Sequence, residues 1–294
     1  MIDIALLTCL MLSQADQQTE TTTYDTTLNF HFYKQFESSI DSGGDVDSSH
    51  AGVELRVNVP FSDNDDLLFR FQYQKDFWSF SGTSGLGNDD PWGSINTIDF
   101  DVQWTHGYSD KTKLFFGGIV RSSYEDSATM NTKGGGTLGI VHSFSNNLTL
   151  GVGAGIIGQV HDDPRLFPIF VVDWRLSDTL RLTSDISTRF GSRTGLELVW
   201  TPRKQWSFGV GYSYSFSRFR LDDDGFNPNG AGEATSWPLT FRATYEMSPS
   251  FRVTFLGGVV FGGHLEVIDE SRNMIRSTDY QSVGGIGILG KITF

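Results

Sequence analysis

The sequence predicts an all-β chain that closes into a transmembrane, antiparallel, up-and-down β-barrel of about 14 strands. Three observations indicate this fold class. Apolar and polar side chains alternate in one segment after another, as they do on strands with two different faces. Short turns alternate with longer polar loops along the chain. The composition combines 33 glycines and 24 phenylalanines with 14% aromatic residues, which suits close strand packing and aromatic girdles at two membrane interfaces.

The amino terminus has the pattern of an export signal. An apolar run from Ile4 to Leu12 precedes Ser13-Gln14-Ala15, a small-x-small pattern that permits cleavage after Ala15. We therefore expect a signal peptide at 1–15, a short periplasmic lead at 16–27 and one barrel domain at 28–294. The alternative is a buried amino-terminal strand, because Asp3 and the lack of Lys or Arg make a poor signal start. Cleavage would remove Cys9, the single cysteine of the sequence, and leave a chain without disulfides.

Alternation is clearest in the first predicted strand, where Leu28, Phe30 and Phe32 oppose Asn29 and His31. The later strands repeat this pattern and are joined alternately by short turns and longer loops. In bacterial barrels the short turns are periplasmic, so we expect both termini in the periplasm. A short connection at Gly191–Arg193 interrupts the series. The predicted short turns are at 62–66, 109–112, 145–147, 176–179, 201–205 and 248–250, and the predicted longer loops at 41–49, 81–94, 125–133, 222–235 and 266–279.

The last fifteen residues, Tyr280 to Phe294, alternate with period two, and we expect the even-numbered residues on one face of a single long strand. A terminal phenylalanine that closes such a strand resembles the carboxyl-terminal signal of bacterial outer-membrane β-barrels. The resemblance implies an outer-membrane location, contact with outer-membrane lipid and lipopolysaccharide, and recognition by the barrel-assembly machinery through Ile288, Ile292 and Phe294. The chain departs from the family at Ile292, where tyrosine is common. The alternative is an edge strand of a soluble, secreted β-sandwich.

A narrower resemblance rests on Leu166-Phe167-Pro168 through Trp174-Arg175-Leu176-Ser177-Asp178, followed by Trp200-Thr201-Pro202 and Trp206. This stretch is similar to a family of outer-membrane barrels of unknown function. Such a family implies no catalytic residues and no cofactor.

Charged residues on the polar faces are candidates for the lumen lining. They can act on permeating ions through their field, or pair across strands and narrow the lumen, and we favour pairing. Rows such as Phe208 to Phe216 are expected to face lipid, with Trp104, Trp174, Trp200, Trp206 and Trp237 as interface anchors. The candidate lumen residues are Glu54, Arg56, Arg70, Asp99, Asp101, Arg121, Asp173, Arg175, Arg181, Asp185, Arg189, Glu197, Arg242, Glu246 and Arg252.

The net charge of -13 argues against nucleic-acid binding. Calcium at Asp222–Asp224 is chemically feasible, but we favour solvated acidic loops and expect no metal site. His161-Asp162 with Asp89-Asp90 resembles the acidic and histidine pairs of outer-membrane proteases. The leading hypothesis is a non-enzymatic barrel with a structural or passive, porin-like transport role for small solutes. The alternatives are an outer-membrane hydrolase and the soluble sandwich.

Overall fold

The structure is a computed structural model that describes residues 24–184 and 192–294, without the side chains of 192 and 193. Its strands are β1 Asp25–Ser39, β2 Asp45–Ser62, β3 Asp65–Ser81, β4 Ser94–Ser109, β5 Thr112–Glu125, β6 Thr132–Ser145, β7 Leu148–Gln159, β8 Asp162–Arg175, β9 Leu180–Thr183, β10 Ser192–Arg203, β11 Trp206–Arg220, β12 Ala231–Ser248, β13 Phe251–Ile268, β14 Met274–Tyr280 and β15 Val283–Thr293. One short helix, α1, spans Gly85–Asp89.

The strands form one closed sheet. Each strand from β1 to β13 pairs antiparallel with the next, and β13 pairs with β14 in one part and with β15 in the other. The circle closes where β15 pairs with β1, from Thr27 opposite Thr293 to Gln35 opposite Gly285. Because β14 and β15 together make the last barrel strand, the result is a 14-strand antiparallel barrel. The predicted fold class is confirmed, and a single closed sheet is not a two-sheet sandwich.

The two ends of the barrel differ. Tight turns such as Asp63-Asn64 join strands at the end that holds β1's first residue and Phe294, which we name the terminal end. The longer connections and α1 lie at the opposite end, which we name the loop end. The predicted alternation of turn and loop is therefore present, whereas the placement of the termini in the periplasm stays a prediction.

The outer face of the barrel is apolar. Phe170 is 57% exposed and Phe255 is equally exposed, a burial pattern that fits a lipid contact rather than water. Most strands run 12 to 18 residues, whereas about 9 to 11 residues cross the hydrocarbon, so the strands extend beyond the membrane. No helix in the described ranges is long and apolar enough to span a membrane. Exposed outward side chains include Phe30, Phe32, Phe71, Phe100, Trp104, Phe116, Trp174, Trp200, Trp206, Phe208, Tyr212, Trp237 and Phe241.

Several boundaries differ from the sequence prediction. The first strand begins at Asp25 rather than Leu28, and β2 begins within the loop predicted for 41–49. The loop predicted for 266–279 is only 269–273, because β13 and β14 extend into it as a ladder. The loop predicted at 81–94 contains α1, a short helix that the sequence pattern did not predict. The connection predicted at Gly191–Arg193 falls partly outside the described residues.

The last barrel strand is not one uninterrupted strand with a single apolar face. Residues 281–282 interrupt it, and the facing of the side chains changes there. Tyr280 is 6% exposed and packs inside the barrel, whereas Ile286 and Ile288 are exposed on the outside. A local irregularity changes which residues face the core, since side chains alternate strictly along a strand. The expectation that all even-numbered residues from Tyr280 onwards share one face was therefore wrong.

Candidate functional site

Ion pairs occupy the inner face of β2 to β5 near the middle of the barrel. Arg70 Nη2 lies 2.6 Å from Asp101 Oδ2, and Arg70 Nη1 lies 3.8 Å from Glu54 Oε2. Glu54 also accepts from Arg56 Nε at 2.6 Å. Arg70 is directly opposite Asp101 on β4 and diagonal to Glu54 on β2, so it can contact both across the sheet. We name Glu54, Arg56, Arg70, Asp99, Asp101 and Arg121 the charged layer.

A second buried pair lies on the other side of the interior. Arg242 Nε on β12 lies 2.5 Å from Glu197 Oε1 on β10, and the Glu197 side chain is 2% exposed. Gly209 of β11 lies between them in the sheet, where a Cβ would be 2.4 Å from Glu197 Oε1. The missing side chain on β11 therefore makes room for the pair to form across an intervening strand.

The remaining candidate lumen residues are more peripheral. Asp173 and Arg181 form two contacts of 2.6 and 2.7 Å near the terminal end, and Glu246 lies 3.5 Å from Arg252 there. Arg175 is exposed and sits opposite Arg181 in the ladder. Two of the candidates, Asp185 and Arg189, lie outside the described residues.

Apart from Arg121 on β5 and charged residues nearer the strand ends, such as Asp173, the inner face of β5 to β8 is apolar. Phe115 lies over Gly139 and Gly153, where an added Cβ would come within 2.3 and 2.9 Å of its ring. Phe167 lies over Gly155 in the same way. Together with Ile119, Ile157, Ile169 and Val171, these rings form an inner wall with little hydrogen-bonding capacity. The interior thus has a charged half and an apolar half.

An apolar cluster closes the interior at the loop end. Leu86 of α1, Trp92 and Phe219 are fully buried, and Phe219 packs edge-to-face on Trp92 with ring centroids 5.2 Å apart. The cluster joins residues from opposite sides of the barrel, so it lies inside the sheet. We name it the cap: Ile40, Val46, Leu86, Trp92, Ile95, Phe219, Leu221, Val260, Leu265, Val267, Tyr280 and Val283.

Glycines allow α1 to sit in the cap. Gly44, in the β1–β2 turn, has a φ of +86°, and a Cβ there would be 2.3 Å from the Ser81 carbonyl oxygen. A Cβ on Gly87 of α1 would lie 2.6 Å from the Gly44 Cα. The β3–β4 connection therefore reaches the interior by direct backbone-to-backbone contact.

One carboxylate joins the two connections that build the cap. Glu125 Oε1 accepts from the Gly93 backbone N–H at 2.8 Å, and its Oε2 accepts from the Asp222 N–H at 2.9 Å. Burial raises the pKa of Glu125, although both backbone donors act in the lowering direction. Nearby, Thr129 Oγ1 donates to Asp223 at 2.6 Å, which lowers the pKa of Asp223. The β5 end thus holds both connections over the barrel opening.

A cavity of about 70 Å³ lies between the charged layer and the cap. We name it the chamber. Its wall contains hydroxyls, amides, one imidazole and a few aromatic rings, with Arg121 on the side of the charged layer and Tyr280 and Val260 on the side of the cap. The lining residues are Tyr33, Gln35, Ser48, His50, Gln74, Asp76, Trp78, Thr97, Arg121, Ser123, Ser215, Phe216, Ser217, Arg218, Ala234, Thr235, Ser236, Val260 and Tyr280.

The row of β11 that was expected to face lipid, Phe208 to Phe216, has two parts with different surroundings. Phe208, Val210 and Tyr212 are exposed outward. Phe216 instead lies under Arg165, whose guanidinium carbon is 3.6 Å from the ring centroid, and Arg165 also donates to the Tyr214 hydroxyl at 3.2 Å. The expectation that the whole row faces lipid was therefore wrong at its loop-end part.

The residues suspected of hydrolysis do not assemble into one site. His161 Nε2 contacts the Asn229 carbonyl oxygen at 2.6 Å, whereas Asp89 pairs with Arg276. Asp90 follows α1 in the left-handed region with a φ of 46°.

In the chamber wall, a serine contacts a histidine, which in turn contacts an aspartate. His50 Nε2 lies 3.3 Å from Ser48 Oγ, and its Nδ1 lies 2.7 Å from Asp76 Oδ1. Ser48, however, is 0% exposed, so its hydroxyl has no surface for a substrate to meet. The three side chains are thus linked to one another within the wall of the chamber.

The acidic run Asp222–Asp224 is engaged by the protein itself. Asp223 binds Thr129 and Arg220, and the Asp224 N–H donates to Asp222. Within the described ranges no group of three or more His, Cys, Asp or Glu side chains is arranged to hold a metal ion.

The closed barrel, its apolar outer belt and the ion pairs inside it define a transmembrane β-barrel of the outer-membrane type. No protein-family model matches the sequence, and the search of curated proteins found no match. Among solved structures, the chain is similar to an outer membrane channel from Pseudomonas putida F1, at 9% identity and a TM-score of 0.49, covering 96% of this chain and 100% of that one.

Two further solved structures are similar. They are the toluene transporter TodX of P. putida, at 9% identity and a TM-score of 0.40, with 94% of this chain and 91% of that one covered, and the NanC porin, at 9% identity and a TM-score of 0.38, with 90% and 98% covered. All three TM-scores are below 0.5.

Sequence reasoning missed the cap, the Glu125 bridge and the chamber. Trp92 carried the best available signal, because a tryptophan in a polar Gly, Ser and Asp connection has no reason to be there unless it is buried. Gln35 and Glu125 carried no such signal, since polar residues on strand faces and at strand ends are ordinary.

Proposed function

We propose that this chain is a passive transport channel of the outer membrane for small solutes, narrowed by the charged layer and closed at the loop end by the cap. The observation that supports the proposal most strongly is the chamber, a polar space inside a closed barrel, between the paired charges of β2 to β5 and an apolar closure. A purely structural barrel has no need of a hydrogen-bonding space, which costs packing contacts.

The charged layer supports a narrow path rather than a wide pore. Its carboxylates and guanidiniums pair at 2.6 to 3.8 Å across neighbouring strands instead of projecting separately into water. Paired charges reduce the field that acts on a passing ion, so modest selectivity follows for any solute that enters.

The location and partners of the chain belong to the same proposal. We propose export through the periplasm after removal of 1–15, and insertion with lipid and lipopolysaccharide around the apolar belt. We propose that Ile288, Ile292 and Phe294 are recognised by the barrel-assembly machinery. Ile288 and the terminal Phe294 are exposed, which supports this role.

The test is single-channel conductance of refolded residues 16–294 in planar bilayers, with heat-dependent gel mobility as the folding control. We expect rare openings for the wild type and frequent openings for the cap variant Trp92→Ala. The matched control is Trp104→Ala, which removes an outward-facing tryptophan and should leave the opening frequency unchanged. A folded Trp92→Ala variant that stays electrically silent and excludes small solutes from liposomes would overturn the proposal.

A further inference from the structure

The chamber has a polar donor that the protein leaves unused. Gln35 is 5% exposed, lines the chamber, and its Nε2 has no hydrogen-bond partner among the residues that the structure describes. Buried amide donors are nearly always hydrogen-bonded, to protein, water or ligand. An acceptor oxygen of a guest in the chamber would complete the hydrogen bonding of this side chain.

The charged groups around the chamber already have partners within the protein. Asp76 accepts from Gln74 Nε2 at 2.6 Å and contacts His50. Arg121 makes two contacts with Asp99, and Arg218 Nη1 lies 3.0 Å from Glu233 Oε2. A charged guest would have to give up its hydration without gaining a matched counter-charge, so the chamber favours a neutral guest.

The rest of the lining suits hydroxyl groups. Thr97 and Ser123 share a hydrogen bond of 2.8 Å, and three further serines, Ser215, Ser217 and Ser236, border the space from the opposite strands. A hydroxyl both donates and accepts, so a wall of hydroxyls can match a guest that carries hydroxyls in more than one orientation. The rings of Tyr33 and Trp78 offer apolar faces for the C–H groups of such a guest.

The volume limits the size of the guest. A cavity of about 70 Å³ holds roughly five to seven water-sized groups. We infer that the chamber is a binding site for a small, neutral, polyhydroxylated solute of about six non-hydrogen atoms, held by Gln35 together with the serine and threonine hydroxyls of the wall. This inference deepens the proposed transport function, because it names the solute class that the path would carry.

The test measures binding directly, with glycerol as the probe. Saturation-transfer NMR on the refolded, detergent-solubilised chain should show a saturable glycerol signal with a millimolar dissociation constant. Gln35→Leu keeps the size of the side chain and removes the donor, and should weaken binding at least fivefold. Gln103→Leu changes an inward glutamine that bonds Thr105 outside the chamber and should leave binding unchanged.

Two outcomes would overturn the inference. One is a wild-type glycerol signal that does not saturate, which would mean that the chamber holds water only. The other is equal glycerol affinity in the wild type and in Gln35→Leu. Should Gln35→Leu fail the gel test for folding, Gln35→Met provides the second variant, since its unbranched side chain is of similar length and has no hydrogen-bond donor. Glycerol binding without conductance would overturn only the transport proposal. Conductance without saturable glycerol binding would overturn only the inference about the chamber.

Discussion

Asp99 and Arg121 face each other across β4 and β5 and make two parallel contacts, of 2.6 Å from Nε to Oδ1 and 2.9 Å from Nη2 to Oδ2. The Asp99 side chain is only 2% exposed. A carboxylate removed from water in this way is tolerated because a planar guanidinium meets it with matched geometry.

Removing one partner of this pair should have two effects. Asp99→Asn leaves Arg121 without its bidentate partner, and we expect a loss of about 3 kcal/mol in the free energy of unfolding. Any open channel should also become more selective for anions. Urea unfolding in lipid vesicles and reversal potentials in a salt gradient measure the two effects. Asp173→Asn is the control, because its pair with Arg181 is largely exposed and should cost less than about 1 kcal/mol. Equal costs for the two variants would contradict this account.

The Glu197–Arg242 pair allows a double-mutant cycle. Glu197→Leu and Arg242→Met should each destabilise the barrel by about 3 kcal/mol, because each leaves a buried charge behind. The double variant should cost clearly less than the sum of the two single changes, since it removes both charges at once. Strictly additive costs would mean that the two groups are stabilised separately.

Loss of the Glu125 carboxylate should loosen the cap without unfolding the barrel. Glu125→Ala leaves the part-buried Gly93 and Asp222 N–H groups without their acceptor, at a cost of about 1 kcal/mol each. Protease cleavage within 81–94 and 221–230 should therefore become faster. Asp110→Ala, in a short turn at the terminal end, is the control, and unchanged cleavage in Glu125→Ala would refute the bridging role.

His264 should remain protonated above its ordinary range. Burial alone acts to lower the pKa of His264, but hydrogen bonds to Asp279 and Glu266 outweigh it and raise the pKa above 6.5. The stabilisation is therefore complete below pH 6.5 and disappears as the pH rises through the raised value. Histidine NMR titration gives the midpoint, and Asp279→Asn should shift it downwards. A midpoint below 6.5 in the wild type would be inconsistent with this cluster.

The apolar inner wall should reject even one methyl group. A Cβ on Gly153 would lie 2.4 Å from the Leu138 carbonyl oxygen and 2.9 Å from the Phe115 ring. We expect Gly153→Ala to destabilise the barrel by about 1 to 3 kcal/mol. Gly118→Ala is the matched control, because no atom lies within 4 Å of its added Cβ. Comparable stability of both variants would mean that the ring can move away.

The sequence was sufficient for the barrel because period two and the order of turns and loops are local patterns. Leu28, Phe30 and Phe32 alternate with polar residues whatever the rest of the chain does, and each short turn constrains the two strands beside it. The interruption at 281–282 could not be predicted, since a one-residue change of facing leaves the composition of the segment intact.

The candidate site depended more on long-range contacts. Trp92 and Phe219 are 127 positions apart and meet only after the sheet has closed. Glu125 likewise finds Asp222 only in the finished barrel. Charges such as Arg70 could be assigned to the inner face by parity, but the partner of each required the register between strands.

The two halves of the interior also differ as mechanical elements. Ion pairs connect β2 to β5 on the inner face, whereas β5 to β8 are connected there by aromatic rings packed on glycines. These ring contacts permit sliding more easily than separation. A barrel whose wall is stiff on one side and compliant on the other does not deform symmetrically. We therefore expect the arc of β5 to β8 to yield to lateral pressure from the bilayer more readily than the arc of β2 to β5.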